Sequence, residues 1–565
     1  MPSWIPGSYL LREFARHVVN IEATSGDRAV ALEKTGNSRW RCSEPAGELT
    51  LTATIYGLEQ SVRDNYIDRR RAYFNGPAVF LLPKGRDDDP VELLLEPPDD
   101  PSCANWRVAT AMAPVNVDER GFGVYRADNY DELIDHPVEI GDFRTVEFEA
   151  CSVPHRLVVA GRFHSDLDRV AADLARICET QIEFFGEPAP FDSYLFLGLA
   201  VGDGYGGLEH RASSSLIFSR DDLPKPGEAG ISKNYGRFLG LASHEYFHSW
   251  HVKRTKPEAF APYRLDRRNH TRQLWVFEGI TSYYQELLVL RSGLVGMKTW
   301  MRRVGEQLSR VYQTPGRFRQ SISDSSFDAW DVLYKPEANT PNTSISYYSK
   351  GALTALALDL TLRRSTDAAV SLDDVVRELW RRYGARDTGV PEHGFEALAI
   401  ELGGAELAEF FDQAVRGTED LGLGALLADF GVLVKFRSAV DTGYKSRAAD
   451  LPAEAPLRLG VTYRPAAEGL AIVTVYDGGP AQLGGLNPGD RVIAVDRLRV
   501  NDRNLKARLA RYNAGDRVAV AAFRGDELLE FSVELERAPP DSCSLEFDPD
   551  AGAAALARRR AWLGE

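Results

Sequence analysis

The sequence predicts a multidomain α+β protein: an N-terminal β-sandwich-like region, a mainly helical middle and a small β module at the end. Three observations carry this expectation. A chain of 565 residues is too long for one hydrophobic core. Short β-prone runs fill the first part and give way near Ser165 to apolar residues at helical spacing. Strand-like segments resume beyond about Leu457.

Residues 1–164 read as the N-terminal β-domain. Gly47–Tyr56, Pro77–Pro83, Arg144–Ala150 and Arg156–Ala160 are β-prone, and Pro, Gly and Asp clusters punctuate them. Residues 165–437 form the second region. Asp166–Phe185 repeats apolar residues with a helical period, Ser193–Val201 is strand-like, and Gly202–Gly207 is glycine-rich. Helices are expected over 234–250, 271–293, 296–312, 347–363, 371–383 and 393–416, with a loop at Asp324–Thr343. Residues 438–457 read as a linker, 458–540 as the β module and 541–565 as a tail with a short helix.

Composition limits the partners. Net charge is −15, from 67 basic and 82 acidic residues, which argues against nucleic acid and against an anionic membrane. Five scattered cysteines without a Cys-x-x-Cys pair argue against a disulfide framework and against a thiolate metal site. There is no apolar run of membrane-spanning length and no signal-peptide pattern, so a cytoplasmic location is expected.

The chemistry concentrates at His244-Glu-Tyr-Phe-His248. On a helix the two histidines lie one turn apart on one face, where their imidazoles can share a single Zn²⁺. Glu245 is then placed to take a proton from a coordinated water. A catalytic zinc keeps three protein ligands and one open position. Glu278, in Trp275-Val-Phe-Glu-Gly-Ile-Thr281, is the expected third ligand. Ser282 stands where a thermolysin-like pattern carries an aspartate, so another group must orient the histidines.

Two further elements point to an exopeptidase. In Tyr205-Gly-Gly-Leu-Glu-His210, Gly206 and Gly207 allow a peptide close to the backbone, and Glu209 can pair with a substrate α-amine. Tyr347-Tyr-Ser-Lys-Gly351 opens a helix, and Tyr348 is the expected oxyanion donor, with Tyr347 as its competitor.

The C-terminal module resembles a PDZ domain. Leu459-Gly460, Gly478-Gly-Pro-Ala481 and Asn487-Pro-Gly-Asp490 before the strand Val492–Val495 come in the order of that fold. The whole chain resembles the glycyl aminopeptidase family, the PDZ-bearing relatives of thermolysin. The resemblance rests on Ser243–Trp250 with Val252–Arg254 and Pro257, on Leu274–Tyr284, Gly206–His210 and Tyr348–Gly351, and on Trp4–His17. It implies a thermolysin-like catalytic domain and removal of N-terminal residues, glycine and alanine preferred. In relatives the Trp4–His17 motif follows one or two strands. Here it begins at the fourth residue, so the N-terminal domain is expected to lack its first strands.

The expectation is therefore a zinc aminopeptidase with one Zn²⁺ on His244, His248 and Glu278. Glu245 is the general base, Tyr348 the oxyanion donor and Glu209 the amine anchor. Its partners are peptides with a free N-terminus, and a peptide C-terminus or internal segment at the PDZ domain. The alternatives are a zinc endopeptidase, and a PDZ-based scaffold with a non-catalytic peptidase fold.

Overall fold

A computed structural model describes residues 1–43, 47–438 and 455–564. Most of the linker expected over 438–457 lies outside the described residues. The described chain forms two compact units. One comprises Met1–Thr271, Tyr284–Val295 and Val376–Glu392; the other comprises Arg272–Tyr283, Gly296–Val375 and the described part of His393–Glu565.

The first unit opens with a β-rich region of four small antiparallel sheets. Its core gathers Trp106, Phe122, Tyr125, Tyr130 and Ile134. A five-stranded mixed sheet follows, built from β1 (Arg144–Ala150), β2 (Val153–Gly161), β3 (Tyr194–Val201), β4 (Tyr205–Glu209) and β5 (Ser213–Ser219), in the order β1-β2-β3-β5-β4. Strands β2, β3 and β5 run parallel, while β1 and β4 are antiparallel edges. The runs at Arg144–Ala150 and Arg156–Ala160 thus pair with each other, and the second also pairs with Tyr194–Val201, in one sheet.

A parallel pair needs a crossover, and helix α1 (Leu167–Phe185) supplies it between β2 and β3. The Asp166 side chain caps it by accepting from the Arg169 amide. Val170, Leu174, Ile177, Ile182 and Phe185 bury its apolar stripe. Helix α2 (Lys233–Phe247) is capped by Ser232, which accepts from the Tyr235 amide. Its Phe247 and the following Trp250 pack on Phe185, whose ring stacks on Trp250 at 4.8 Å. Truncating a buried aromatic of this kind costs about 3–5 kcal/mol, so α2 stands on a stiff base.

The second unit holds a π-helical turn, Trp275–Gly279, the start of helix α3 (Ile280–Arg291), and helix α4 (Ser349–Ser365). It also holds the six-stranded PDZ-type sheet, whose core gathers Leu470, Ile472, Val492, Val520 and Val533. The stretch 324–343, expected as a loop, contains two short helical turns, Ile322–Phe327 and Thr340–Thr343. Buried Asn342 in the second turn donates to the Val475 carbonyl (2.8 Å) and accepts from the Asp477 amide (3.2 Å) of the PDZ sheet. The C-terminal residues expected as a tail form strand Ser542–Phe547, paired with Val432–Arg437, and helix α5 (Ala553–Leu563). Trp562 of α5 is fully buried, and its indole donates to the Tyr283 hydroxyl (2.9 Å). No helix among the described residues is long and apolar enough to cross a membrane.

Candidate active site

Helix α2 ends at the histidine motif. His244 and His248, one turn apart, bring their Nε2 atoms to 3.0 Å from each other. Each Nδ1 is engaged from behind. That of His244 faces Gln285 Oε1 from α3 at 3.1 Å, and that of His248 faces the His251 carbonyl at 2.7 Å. With Nδ1 carrying the proton toward these acceptors, both Nε2 lone pairs are left for a metal. Gln285 therefore does the orienting that Ser282 cannot. At residue 251 it is the backbone, not the side chain, that serves. Val252 holds φ at 108°, a strained value for a β-branched residue, in the turn that follows this carbonyl.

Glu245 points from α2 toward the edge strand β4 and lies over Gly207. A Cβ on Gly207 would stand 2.0 Å from Glu245 Oε1 and 2.2 Å from its Cδ, so any residue other than glycine would displace the carboxylate. Gly206 is not so constrained; its nearest neighbour would be 3.6 Å away, at Arg63 Nη1. Arg63 was not expected from the sequence. Its Nη2 donates to the Gly207 carbonyl (2.8 Å), on the strand offered for peptide pairing.

Glu209 ends β4 and is 4% exposed, and its Oε1 is buried with no hydrogen-bond partner among the described residues. Ligand atoms of Glu209, Glu245 and His248 all lie within 4.8 Å of one another. The adjacent His210 is also buried, and its Nδ1 faces Asp135 Oδ1 at 3.5 Å. Burial pushes the His210 imidazole below its ordinary range, against the pull of Asp135. Asp135 is held well below the carboxylate range despite burial, chiefly by Lys253, with Arg211 and His210 beside it. Lys253 pairs with it at 2.6 Å. The basic run after the histidines is thus structural. Arg254 donates to the carbonyls of Arg211, Ser249 and Pro190 and touches neither site glutamate.

In the second unit, Glu278 lies in the π-helical turn and is 2% exposed. Single π turns recur at functional sites because the extra residue re-aims a side chain. The start of α4 packs closely on this turn. A Cβ on Gly279 would meet Gly351 Cα at 2.7 Å and the Tyr347 carbonyl at 2.9 Å. The Tyr348 hydroxyl is 2.7 Å from that of Tyr334, a residue that sequence reasoning missed. Tyr347 is fully buried and its hydroxyl has no hydrogen-bond partner among the described residues. Burial, then the Tyr334 phenol and the Glu278 carboxylate, push the Tyr347 phenol well up.

Fold and site define a peptidase carrying a PDZ domain. Family models match in three stretches: the peptidase M61 N-terminal domain over residues 1–142, the M61 glycyl aminopeptidase over 237–354 and a PDZ domain over 458–535. A solved aminopeptidase N family protein from Idiomarina loihiensis is 38% identical over 100% of this chain and 94% of its own, with a TM-score of 0.95. The chain belongs to the M61 glycyl aminopeptidase family. An M1 zinc metallopeptidase from Deinococcus radiodurans is similar at 15% identity over 72% of this chain and 85% of its own, with a TM-score of 0.45. Comparison with curated proteins returns no match.

Proposed function

We propose that this protein is a zinc-dependent aminopeptidase that removes small N-terminal residues, glycine and alanine above others. The observation that carries the reading is the pair of Nε2 atoms 3.0 Å apart on α2, each ring braced at Nδ1, with Glu245 and Glu209 beside them.

The residues fit a zinc ion. His244, His248 and Glu278 are the set expected from the sequence; Glu209, Glu245 and His248, all of the first unit, are a second set that could share one ion. Two imidazoles and a carboxylate match the donor set of catalytic zinc, so we assign the ion, one per chain, to the first set. The second set depends on the same His248, and its carboxylates have other work. Zinc bound by His244, His248 and Glu278 would supply Lewis acidity.

Glu245, buried and fixed over Gly207, takes the proton from the attacking water and returns it to the leaving amine. Tyr348 donates to the oxyanion, and the Tyr334 hydroxyl orients it. Edge strand β4 offers its backbone at Gly206 and Gly207 to the peptide. Glu209 holds the α-ammonium. An unpaired carboxylate this buried is costly until a cation arrives, so binding energy concentrates on a free N-terminus. The PDZ domain takes a peptide C-terminus or an internal segment along its own edge strand, Val461–Pro465.

A panel of aminoacyl reporters, free and N-acetylated, with and without chelator, tests this reading. Glycyl and alanyl reporters should turn over fastest, chelator should abolish turnover and zinc should restore it. Efficient cleavage of N-acetylated peptides would move the protein to the endopeptidases. Absence of any turnover by zinc-loaded protein would make it a scaffold.

A further inference from the structure

The Trp4–His17 motif has no part in the chemistry above, yet its first turn reaches the site. Trp4, Ile5, Ser8 and Tyr9 are at most 1% exposed. The Trp4 indole donates to the Arg264 carbonyl (2.9 Å), and the Ser3 amide donates to that of Leu265 (2.7 Å). Trp4 and Tyr9 both pack on Phe260, with ring centroids 6.4 and 5.8 Å away. The Ser8 amide returns to the Ile5 carbonyl (3.0 Å) and closes a turn around Pro6 and Gly7. So anchored, the loop cannot retreat without breaking a packed core.

Gly7 is the tip of this turn. Its φ of 89° lies in the left-handed region. A Cβ there would stand 2.5 Å from both carboxylate oxygens of Glu209. Asparagine often tolerates left-handed backbone; the second constraint means that any side chain here must push the Glu209 carboxylate away. Among the described residues Glu209 Oε1 has no hydrogen bond to fix it, and the Gly7 backbone stands directly against the carboxylate.

We propose that the Trp4–Tyr9 loop is the end wall of the amine pocket, and that Gly7 is the positioning residue that sets the stand-off of the Glu209 carboxylate. This rests on the reading of Glu209 as the partner of the substrate amine. An ammonium that reaches Glu209 meets the Gly7 backbone, and a chain continuing past the nitrogen has no room. Selection for a free N-terminus then has two sources. Glu209 attracts the charge, and the loop excludes what lies beyond it.

A double-mutant cycle tests the wall: Gly7→Ala, Glu209→Asp and the pair, each measured for kcat, KM and thermal unfolding on glycyl and N-acetylglycyl reporters. Gly7→Ala should lower kcat/KM for the free amine by about tenfold or more, mostly through KM, and reduce discrimination against the acetylated reporter. In the Glu209→Asp background, where the carboxylate is drawn back by one methylene, Gly7→Ala should cost less than about twofold. Strain from a left-handed alanine lowers thermal stability equally in both backgrounds and does not imitate this coupling. Equal losses in the two backgrounds would overturn the proposal alone. Undiminished preference for free amines in Glu209→Gln would overturn the amine reading, and the proposal with it. Should Gly7→Ala not fold, N-methylglycyl reporter on the wild type reads the wall directly, since it keeps the charge and adds one carbon. Rates equal to the glycyl reporter would then overturn the proposal, and a loss of about tenfold or more would support it.

Discussion

Gly207→Ala is the sharpest test of where Glu245 works. The added Cβ would lie 2.0 Å from Glu245 Oε1, 2.2 Å from Cδ and 2.5 Å from Cγ. Side-chain Cβ atoms do not come within 3.0 Å of such neighbours, so the carboxylate must retreat by about 1 Å or more. A shift of about 1 Å in a reacting group costs about 10²-fold, and losing a general base costs about 10²–10⁴-fold. The expected result is a fall in kcat of about 10²-fold, or about 2.7 kcal/mol in the barrier. Metal content and fold should be preserved. Gly207 sits in β4 opposite Leu216 with ordinary extended backbone that alanine adopts readily. Steady-state kinetics on a glycyl reporter, with bound zinc measured on the same samples and Glu245→Gln as reference, gives the answer. Combined with Glu245→Gln, the alanine should add little. A Gly207→Ala enzyme within about threefold of wild type would show that Glu245 does not work from over β4.

Two further outcomes follow from the geometry. Tyr348→Phe should lower kcat by about 10²-fold with little change in KM, and Tyr334→Phe should cost less, since it removes only the orienting partner; a large loss in Tyr347→Phe with none in Tyr348→Phe would reverse the two roles. His155 gives an acid limb. Burial pulls its imidazole down to about 4 from the ordinary 6.5, outweighing the bond from Nδ1 to the Val153 carbonyl. Below pH 6.5 the unfolded chain takes the proton first, so this stability is whole above 6.5 and drains as pH falls toward 4, by about 2 kcal/mol between pH 7 and 5. Denaturant unfolding at the two pH values should show a smaller drop in His155→Gln than in wild type, and equal drops would refute the assignment.

The histidine motif was legible because its spacing is chemistry: two imidazoles on one helical face with a carboxylate between them. The PDZ module was legible through its turn residues, and the Trp4–His17 run as a motif without a role. What escaped was long-range. Nothing local in Arg144–Gly161 announces a parallel partner at Tyr194–Val201, since such pairing depends on a crossover and leaves no mark on either strand. Ser282 signals that another group must orient the histidines, but no local pattern marks Gln285, three residues further along the same helix, as the one beside His244. Tyr334 stands in a stretch without periodicity, where no pattern separates a pocket hydroxyl from a solvent-facing one. The demand for glycine at Gly7 and Gly207 comes from carboxylates distant in sequence, so it becomes visible only in three dimensions.

The π turn at Trp275–Gly279 also bears on the ancestry and editing of this chain. Such a turn is an α-helix with one residue too many, and each residue in a helix is worth about 100° of rotation. Deleting the single residue between Glu278 and α3 would give a more regular helix while swinging Glu278 and everything upstream of it round by about a quarter of a circle relative to α3. The more stable helix and the correctly aimed carboxylate are therefore different sequences, one indel apart. An engineer who trims this segment for stability would trade away the aim of the Glu278 carboxylate.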